Sequence, residues 1–348
     1  MAENDFEIIP FDPAAATAAD PLWAAYLDHV EAMHYEVDPE DPVLPREKHQ
    51  EMLRVAFRMP YVSRRLYLAL TPEGRAAGAA SVSTETEASP SYQANKHIAN
   101  LNFSVGAKYR RRGLGTRLLA HVKARLAAEK PSVTEFMCAA ILEPGRAFCG
   151  RLGKVALEQS ENRLYLKDLD WAMVERWAAE GRSKNPASSV VVTRFIPEED
   201  IADYSRVYTE TMNQQPFGEL SMKIIFTPEQ IREGEKECRE TGEEDTTIYT
   251  KEADGTVSGL TETTYLRDSP HKVRQMLTGV REKYRGRGLG KLLKALMLLE
   301  IRAKHPGVKY VATGNADSNA PMLAINKALG FKKHLPVLIY TLKLKDIK

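Results

Sequence analysis

The chain has 348 residues, of which 43% are hydrophobic, and 49 Lys and Arg residues stand against 47 Asp and Glu residues. This length and composition are typical of a globular protein of two domains, and they exclude a disordered or fibrous chain. The formal net charge of +2 gives no general basis for nucleic-acid binding, and three cysteines do not make a disulfide framework.

No targeting or membrane segment is visible in the sequence. The first residues, MAENDFEIIPFDP, are acidic and lack the basic and then apolar order of a signal peptide. No stretch approaches the roughly 18 apolar residues of a membrane span. We therefore expect a cytoplasmic protein that needs no metal and has neither a membrane nor nucleic acid as partner.

The first half of the chain predicts an alternation of strands and helices. Apolar periodicity and turn residues place two helices within residues 21–59 and one from about Leu114, whose apolar face carries Leu118, Leu119 and Val122. The predicted strands are Glu7–Phe11, Arg65–Leu70, Ala76–Thr84 and His97–Val105.

The second half predicts the same order of elements. Helices are expected after Pro197, after Pro228, over Leu289–Lys304 and over Asn319–Leu329. The predicted strands are Val190–Phe195, Thr246–Thr250, Thr256–Thr264, Lys272–Val280, Val308–Thr313 and Val337–Leu344.

One octapeptide occurs twice, 175 residues apart, as KYRRRGLG at Lys108–Gly115 and KYRGRGLG at Lys283–Gly290. A repeat of this period indicates a duplicated domain rather than a solenoid. We expect an N-terminal domain at 1–180 and a C-terminal domain at 189–348. The small and polar stretch at 178–189 is the predicted linker.

Both octapeptides follow a predicted strand and open a predicted helix. Glycines let backbone N–H groups approach a ligand closely, and a helix N-terminus carries roughly half a positive charge. The combination favours a phosphate or pyrophosphate site. Neither copy ends in the Gly-Lys-Ser/Thr of a nucleotide P-loop, and neither has GxGxxG spacing. The alternative is a tight turn with solvated arginines, and its recurrence in two identical contexts disfavours it.

At these residues the chain resembles the GNAT (Gcn5-related N-acetyltransferase) superfamily. The family's acyl-CoA signature, Arg/Gln-x-x-Gly-x-Gly/Ala, is present from Arg285 to Gly290 and from Arg110 to Gly115. An Asn-led helix that ends in Leu-Gly-Phe follows the second copy, from Asn319 to Phe331. The resemblance implies two tandem GNAT-like α/β domains, each a mostly antiparallel mixed sheet flanked by helices.

The resemblance also implies acyl transfer from acetyl-CoA to an amine. The turn at Arg285, Gly286, Arg287, Gly288, Leu289, Gly290 and Lys291 would hold the CoA pyrophosphate. Val280 would offer main-chain groups to the pantetheine arm, and Asn319 would contact that arm or the start of its own helix. In the first copy, Arg110, Arg112, Gly113 and Gly115 are a second candidate set.

The family often places a proton-donating Tyr five residues before the Phe of Leu-Gly-Phe, and this chain has Asn326 at that position. An amide is no such acid, although it hydrogen-bonds sulfur. Glu262 and His271 are candidate bases, and Tyr265 is a candidate acid or substrate contact. A solvent-facing side chain is the simpler interpretation for Glu262 and His271.

The first copy departs further from the family pattern. Pro144 stands near the position of Asn319, and Leu152-Gly153 is followed by Lys154 rather than Phe. We therefore expect a degenerate, non-catalytic first domain and a catalytic second domain. Cys138 and Cys149 are candidate nucleophiles, although burial in the core is the simpler interpretation.

The leading hypothesis is an N-acetyltransferase that acts on a small-molecule amine by direct attack. Two alternatives remain open: a sensor or scaffold that binds acyl-CoA without turnover, and an enzyme that acylates a protein amine. The sequence does not determine the amine, the acyl chain or the oligomeric state.

Overall fold

The computed structural model describes residues 6–347, so the part of the signal-peptide prediction that concerns residues 1–5 lies outside the described residues. The helices are α1 (Pro21–Val37), α2 (Arg46–Arg58), α3 (Tyr92–Asn95), α4 (Leu114–Glu129), α5 (Glu143–Gly150), α6 (Trp171–Lys184), α7 (Glu198–Asn213), α8 (Pro228–Glu240), α9 (Leu289–Lys304) and α10 (Ala320–Leu329). The strands are β1 (Glu7–Phe11), β2 (Val62–Leu70), β3 (Ala76–Glu85), β4 (Ile98–Val105), β5 (Glu135–Ala140), β6 (Lys154–Tyr165), β7 (Ser189–Thr193), β8 (Glu244–Lys251), β9 (Val257–Tyr265), β10 (Lys272–Val280), β11 (Tyr310–Ala316) and β12 (Lys332–Lys343).

The first compact unit comprises Met1–Leu157, Gly218–Met222 and Val337–Lys348. Its strands run in the order β1-β2-β3-β4-β5-β12, and only β4 and β5 pair in parallel. Helix α4 buries Leu114, Leu118, Leu119 and Val122 in the core of this unit. These residues recur at the three- and four-residue spacing that puts side chains on one helix face, as the sequence predicts.

The second compact unit comprises Glu158–Phe217 and Lys223–Pro336. Its strands run β6-β11-β10-β9-β8-β7, and the parallel pair is β10 with β11. Helix α9 contributes buried Leu289, Leu292, Leu293 and Met297 to the core on one side of the sheet. A separate core against α7 contains Tyr204, Val207 and Leu260. A mixed, mostly antiparallel sheet flanked by helices is therefore confirmed as the fold.

Each unit completes its sheet with a strand from the end of the other half of the sequence. In the first unit, residues Leu338–Lys343 of β12 pair antiparallel with β5. In the second unit, residues Gln159–Tyr165 of β6 pair antiparallel with β11. Strand β6 is not among the predicted elements. The division into domains at 1–180 and 189–348 remains a prediction about which segments fold independently.

The predicted linker at 178–189 is wrong in its first half, because α6 extends to Lys184. Asp170 caps this helix by accepting a hydrogen bond from the N–H of Met173 at 3.0 Å. Val174, Ala178 and Gly181 are buried against the second core. A Cβ on Gly181 would lie 2.7 Å from the Cβ of Leu292, so this glycine allows α6 and α9 to pack closely. The small residues that suggest a linker are therefore helix-packing residues.

The two glycine turns differ in backbone strain. Arg111 has φ of 61°, and Gly286, its counterpart, has φ of 81°. The left-handed region costs an L-residue roughly 1–2 kcal/mol, and glycine adopts it without that cost. We expect Arg111→Gly to stabilise the protein by about 0.5–1 kcal/mol, measured by urea unfolding. The gain is smaller than the relieved strain because glycine also increases the conformational entropy of the unfolded chain. The reciprocal Gly286→Arg should destabilise by a similar amount, and no change in either would contradict the strain.

Candidate active site

The two octapeptides form closely similar turns. Gly113 has φ of 75° and Gly288 has φ of 80°, and each is the N-cap residue of the helix that follows. Neither helix has a side-chain hydrogen bond at its N-cap. The first four N–H groups of a helix have no partner within the helix, so each turn presents donors to an anion. No Cβ contact restricts Gly286 or Gly288, which leaves space beside the backbone.

The arginines of the second turn are held by neighbouring groups. The Nε of Arg285 donates to the carbonyl of Val280 at 3.4 Å, and its guanidinium also contacts Gln214. Arg287 donates to Asn185 at 2.8 Å and forms an ion pair with Glu252 at 3.0 Å. These two side chains therefore brace the turn, and the anion site consists mainly of the backbone and the helix N-terminus.

The parallel strands β10 and β11 separate just before the turn. Their pairing ends at Gln275 with Thr313, although β10 continues to Val280 and β11 to Ala316. Parallel strands that stop pairing leave backbone groups available on their facing edges. The amide-rich pantetheine arm of CoA fits this kind of opening.

Asn326 lies beside this opening. Its Nδ2 donates to Asn315 Oδ1 on β11 at 2.8 Å. Its side chain is 2% exposed, and among residues 6–347 its Oδ1 has no hydrogen-bond partner. A buried acceptor without a donor is costly unless a ligand supplies one. The amide N–H groups of pantetheine are donors of the required kind, so a buried acceptor at Asn326 is compatible with bound acyl-CoA.

Val280 and Asn319 have positions that local geometry explains. Val280 ends β10, pairs with Gly259, and accepts the hydrogen bond from Arg285. Asn319 is the N-cap of α10, and its Oδ1 accepts from the N–H of Met322 at 3.4 Å. The side chain of Asn319 therefore supports the helix that carries Asn326, while contact with pantetheine stays a prediction.

Glu262 is partly buried on β9, on the side of the sheet that α7 covers. The hydroxyl of Tyr204, which is fully buried, donates to Glu262 Oε1, and Tyr208 forms a second hydrogen bond to the carboxylate. Burial raises the pKa of Glu262 to about 7, and the negative charge of Asp245 adds to the rise, while the two tyrosine hydrogen bonds oppose it. A carboxyl with this pKa changes protonation state near neutral pH.

The strand next to Glu262 carries a β-bulge. The register between β9 and β10 shifts between Gln275, opposite Thr263, and Thr278, opposite Thr261. Gln275 holds the irregular segment through a hydrogen bond from its Nε2 to the carbonyl of Glu262 at 2.5 Å. Bulges are over-represented next to active sites, where they redirect side chains. The pairing of β3 with β4 in the first unit is regular.

The structure does not bring Tyr265 and His271 to the turn. Tyr265 stacks on His305, with ring centroids 3.9 Å apart, just beyond the C-terminus of α9. The turn lies at the other end of that helix, whose 16 residues span about 24 Å. His271 accepts a backbone hydrogen bond from Lys309 and lies 5.8 Å from the ring of Tyr310. Their surroundings favour packing roles.

Lys294 on α9 is a buried cation that sequence inspection missed. It is 2% exposed, with Nζ 5.4 Å from the centroid of the Phe331 ring. Burial lowers the pKa of Lys294 to about 7. Its counterpart in the first copy, 175 residues earlier, is Leu119, a core residue that is 2% exposed. The helical spacing of the apolar residues places position 294 on the core side of α9. Lysine is rarely buried, so the residue type alone does not indicate burial at this position.

Lys294 should reduce stability in a pH-dependent way. Because its folded-state pKa lies below the unfolded value, the unfolded state binds more protons between about pH 7 and 10.5, and stability rises over that range. We expect Lys294→Leu to raise the free energy of unfolding at pH 7 by a few kcal/mol, on the order of 1.4 per pKa unit. Denaturant unfolding at several pH values measures this. A variant whose pH dependence matches that of the wild type would contradict the burial of this charge.

The first unit has a different set of groups around its turn. Gly78 in the first unit is equivalent to Gly259 in the second, because they pair with Val105 and Val280 respectively. The residue three positions after Gly259 is Glu262, and the residue three positions after Gly78 is Ser81. Arg110 forms an ion pair with Glu36 and donates to the carbonyl of Val105 at 2.9 Å. Arg112 is exposed. A cavity of about 570 Å³ extends from Gly113 and Gly115 to Cys138 and Cys149.

Comparison with known proteins agrees with this geometry. The model of the acetyltransferase (GNAT) family matches residues 24–153 and 209–331, which is more than half of the chain. No curated protein matches the sequence significantly. Among residues 6–347, no helix is both long enough and apolar enough to cross a membrane.

Three solved structures illustrate the similarity. A tandem GNAT protein from the clavulanic acid biosynthesis pathway is 21% identical, with TM-score 0.73, and the match covers 97% of this chain and 98% of that one. A GCN5-related N-acetyltransferase from Sphaerobacter thermophilus is 16% identical, with TM-score 0.65 and coverages of 98% and 96%. The Saccharomyces cerevisiae N-myristoyltransferase with bound myristoyl-CoA is 12% identical, with TM-score 0.54 and coverages of 97% and 83%. These likenesses establish a shared fold, and the resemblance expected from the sequence is confirmed: the chain belongs to the GNAT acetyltransferase family and contains its domain twice.

Proposed function

We propose that this chain transfers an acetyl group from acetyl-CoA to the amine of a small molecule, and that the second half carries out the chemistry. Membership in the GNAT family implies acyl transfer from acyl-CoA. The observation that supports placing the chemistry in the second half is Glu262, whose carboxyl has a pKa of about 7 and lies beside the bulge in β10.

Binding of acetyl-CoA would use backbone and side-chain groups that have no hydrogen-bond partner within residues 6–347. The N–H groups from Gly286 to Lys291 would hold the pyrophosphate at the N-terminus of α9. The pantetheine arm would lie in the opening between β10 and β11, within reach of the unpaired Oδ1 of Asn326. The first turn offers the same backbone arrangement, and we propose that it also binds acyl-CoA.

Glu262 would act as the general base. A free amine is largely protonated at neutral pH and attacks a thioester only after it loses that proton. A base is most effective when its pKa lies near the working pH. Tyr204 and Tyr208 would hold the carboxylate in one orientation, and their hydrogen bonds would keep enough of it ionised at pH 7 to accept a proton.

The departing thiolate has no dedicated acid in this proposal. Asn326 stands where the family often has a tyrosine, and a side-chain amide does not give up a proton to a thiolate. A thiol has a pKa of about 8.5, so its thiolate is a good leaving group and takes its proton from water. Asn326 would position the arm of CoA rather than supply a proton.

The choice of the second half rests on three differences between the copies. The second unit has Glu262 where the first has Ser81, and it has a bulge where the first has a regular ladder. It also has Asn326 where the first, counted back from the Leu-Gly pair, has Cys149. The first unit thus lacks the base on which the proposed mechanism depends.

The test is transfer of label from acetyl-CoA with a radioactive acetyl group. The protein is mixed with a panel of small amines and, separately, with a protein extract, and the label is located by chromatography. Label on one class of small amine is the expected result. Label on protein amines would indicate that the substrate is a protein rather than a small molecule. Binding of CoA without transfer of label to small amines or to proteins would instead support a sensor or scaffold that binds acyl-CoA without turnover. Replacing the acetyl group with succinyl and myristoyl groups tests acyl preference.

A further inference from the structure

The cavity of the first unit contains two thiols in contact. Cys138 and Cys149 both line it, and their sulfur atoms are 3.9 Å apart. They are 2% and 1% exposed to solvent, so the cavity is their only evident access among the described residues. The sequence separates them by 11 residues, and the fold brings them together because α5 returns over β5.

The thiols lie at the inner end of a path that starts at the glycine turn. Strands β4 and β5 pair in parallel only as far as Leu101 with Cys138, and β4 then continues to Val105. Four residues of strand span about 13 Å. A pantetheine arm bound with its phosphates at Gly113 and Gly115 would run along this opening. Its sulfur end would then lie near the point where the strands diverge.

We propose that the first unit takes the acyl group from acyl-CoA onto Cys149 as a thioester. The proposal rests on acyl-CoA binding at the first turn, and it is independent of chemistry in the second half. In this step the carbonyl carbon breaks its bond to the CoA sulfur and forms a bond to the Cys149 sulfur. The proton that Cys149 loses ends on the CoA thiol. One thioester replaces another, so no oxidant, reductant or further reactant is required.

Cys149 rather than Cys138 is the acceptor for two reasons. Counted back from Leu152-Gly153, it occupies the position of Asn326 in the second copy, beside the opening between the parallel strands. The hydrogen bond between the two thiols also lowers the pKa of Cys149, against the opposing effect of burial, and it raises the pKa of Cys138 together with burial. The thiolate is the reactive form of cysteine. Cys138 is therefore a positioning residue.

A second polar pair in the cavity wall is a rival acceptor. His29 Nε2 and Ser104 Oγ are 2.7 Å apart, and Ser104 lines the cavity. Burial and the charge of Arg110 lower the pKa of His29 to about 4, so its imidazole is neutral at pH 7. A hydroxyl beside a neutral imidazole is a known arrangement for nucleophilic attack. The experiment must therefore separate a thioester on Cys149 from an ester on Ser104.

The experiment incubates the full-length protein with acetyl-CoA and a phosphine reductant, without an amine, and measures the intact mass under acidic conditions. The expected result is one added acetyl group, located on Cys149 by peptide mapping. An excess of free CoA should remove it, because thioester exchange is reversible, and neutral hydroxylamine should also remove it. Cys149→Ser should abolish labelling, Cys138→Ser should slow it about tenfold, and the control Cys238→Ser should leave it unchanged.

Calorimetric titration of the wild type and of Gly115→Asp with CoA measures binding separately from labelling, so that a failure to bind and a failure to transfer the acetyl group are distinguished. Gly115→Asp places a carboxylate at the N-terminus of α4, where it repels phosphate and is compatible with the helix. It should abolish the labelling of Cys149 without a loss of thermal stability. Labelling that persists in Gly115→Asp would show that the reaction does not use this turn, and would overturn the proposal. So would label on Ser104 that resists CoA, or CoA bound at the first turn with no acetyl transfer to Cys149. Each of these results would leave acetylation of amines by the second half untouched.

Discussion

Replacing Glu262 with Gln should reduce kcat for amine acetylation by about 100- to 10,000-fold, the usual contribution of a general base. The amide keeps the size of the side chain and can still accept a hydrogen bond from Tyr204, so the fold should be retained. The loss should appear in kcat rather than in the KM for acetyl-CoA, because Glu262 lies on β9 and not at the glycine turn. Steady-state kinetics measures both constants. As a control, Glu233→Gln removes a carboxylate from an ion pair on α8 and should change neither.

The pH profile separates a catalytic role for Glu262 from a structural one. With a pKa of about 7, the carboxyl loses its proton as the pH rises through 7, so the wild-type rate should rise over this range and then level off. Glu262→Gln should remove this limb. Tyr204→Phe removes a hydrogen bond that lowers the pKa of Glu262, so the limb should move to higher pH. An unchanged limb in Glu262→Gln would exclude Glu262 as the base.

A carboxylate in one glycine turn at a time should separate the two copies. Gly290→Asp should raise the KM for acetyl-CoA or lower kcat/KM by more than about 100-fold, because its charge would repel the pyrophosphate at the N-terminus of α9. A Cβ at this position would lie 3.3 Å from the Cδ1 of Ile325, a flexible side-chain end. Gly115→Asp, the matched change, should retain most of the amine-acetylating activity.

The opposite pattern would reverse the assignment of the halves. An inactive Gly115→Asp protein beside a fully active Gly290→Asp protein would place the chemistry in the first unit. Thermal unfolding of both variants is the control for folding. Aspartate is a favourable residue in the first turn of a helix, so both should unfold within a few degrees of the wild type.

The sequence predicts most of the elements because they carry strong local signals. The helix Leu289–Lys304 has the bounds that its leucine spacing predicts, and the strand Lys272–Val280 also matches. Strand β6 has no such signal, since Glu158, Glu161 and Arg163 interrupt its apolar residues. Its place beside β11, and that of β12 beside β5, depend on tertiary pairing that no local pattern encodes.

The candidate site likewise has one part that the sequence predicts and another that depends on tertiary packing. The glycine turn is visible in the sequence because its chemistry lies in the backbone of eight consecutive residues. The surroundings of Glu262 are not, because Tyr204 lies 58 residues away and meets it only across the packing of α7 on the sheet. Tyr265, three residues further along the same strand, is an equally good candidate in the sequence, and its ring stacks on His305 in the structure. The contact between Cys138 and Cys149 likewise depends on the return of α5 over β5.

The most direct test of acetyl transfer by this chain is the amine-dependent release of CoA thiol, measured together with the acetylated product by mass spectrometry. The expected result is that one class of small amine accelerates thiol release from acetyl-CoA, with one acetylated amine formed for each thiol released. Stoichiometric binding of CoA without acceleration by any amine of a broad panel would contradict an acetyltransferase and leave a protein that binds acyl-CoA without turnover.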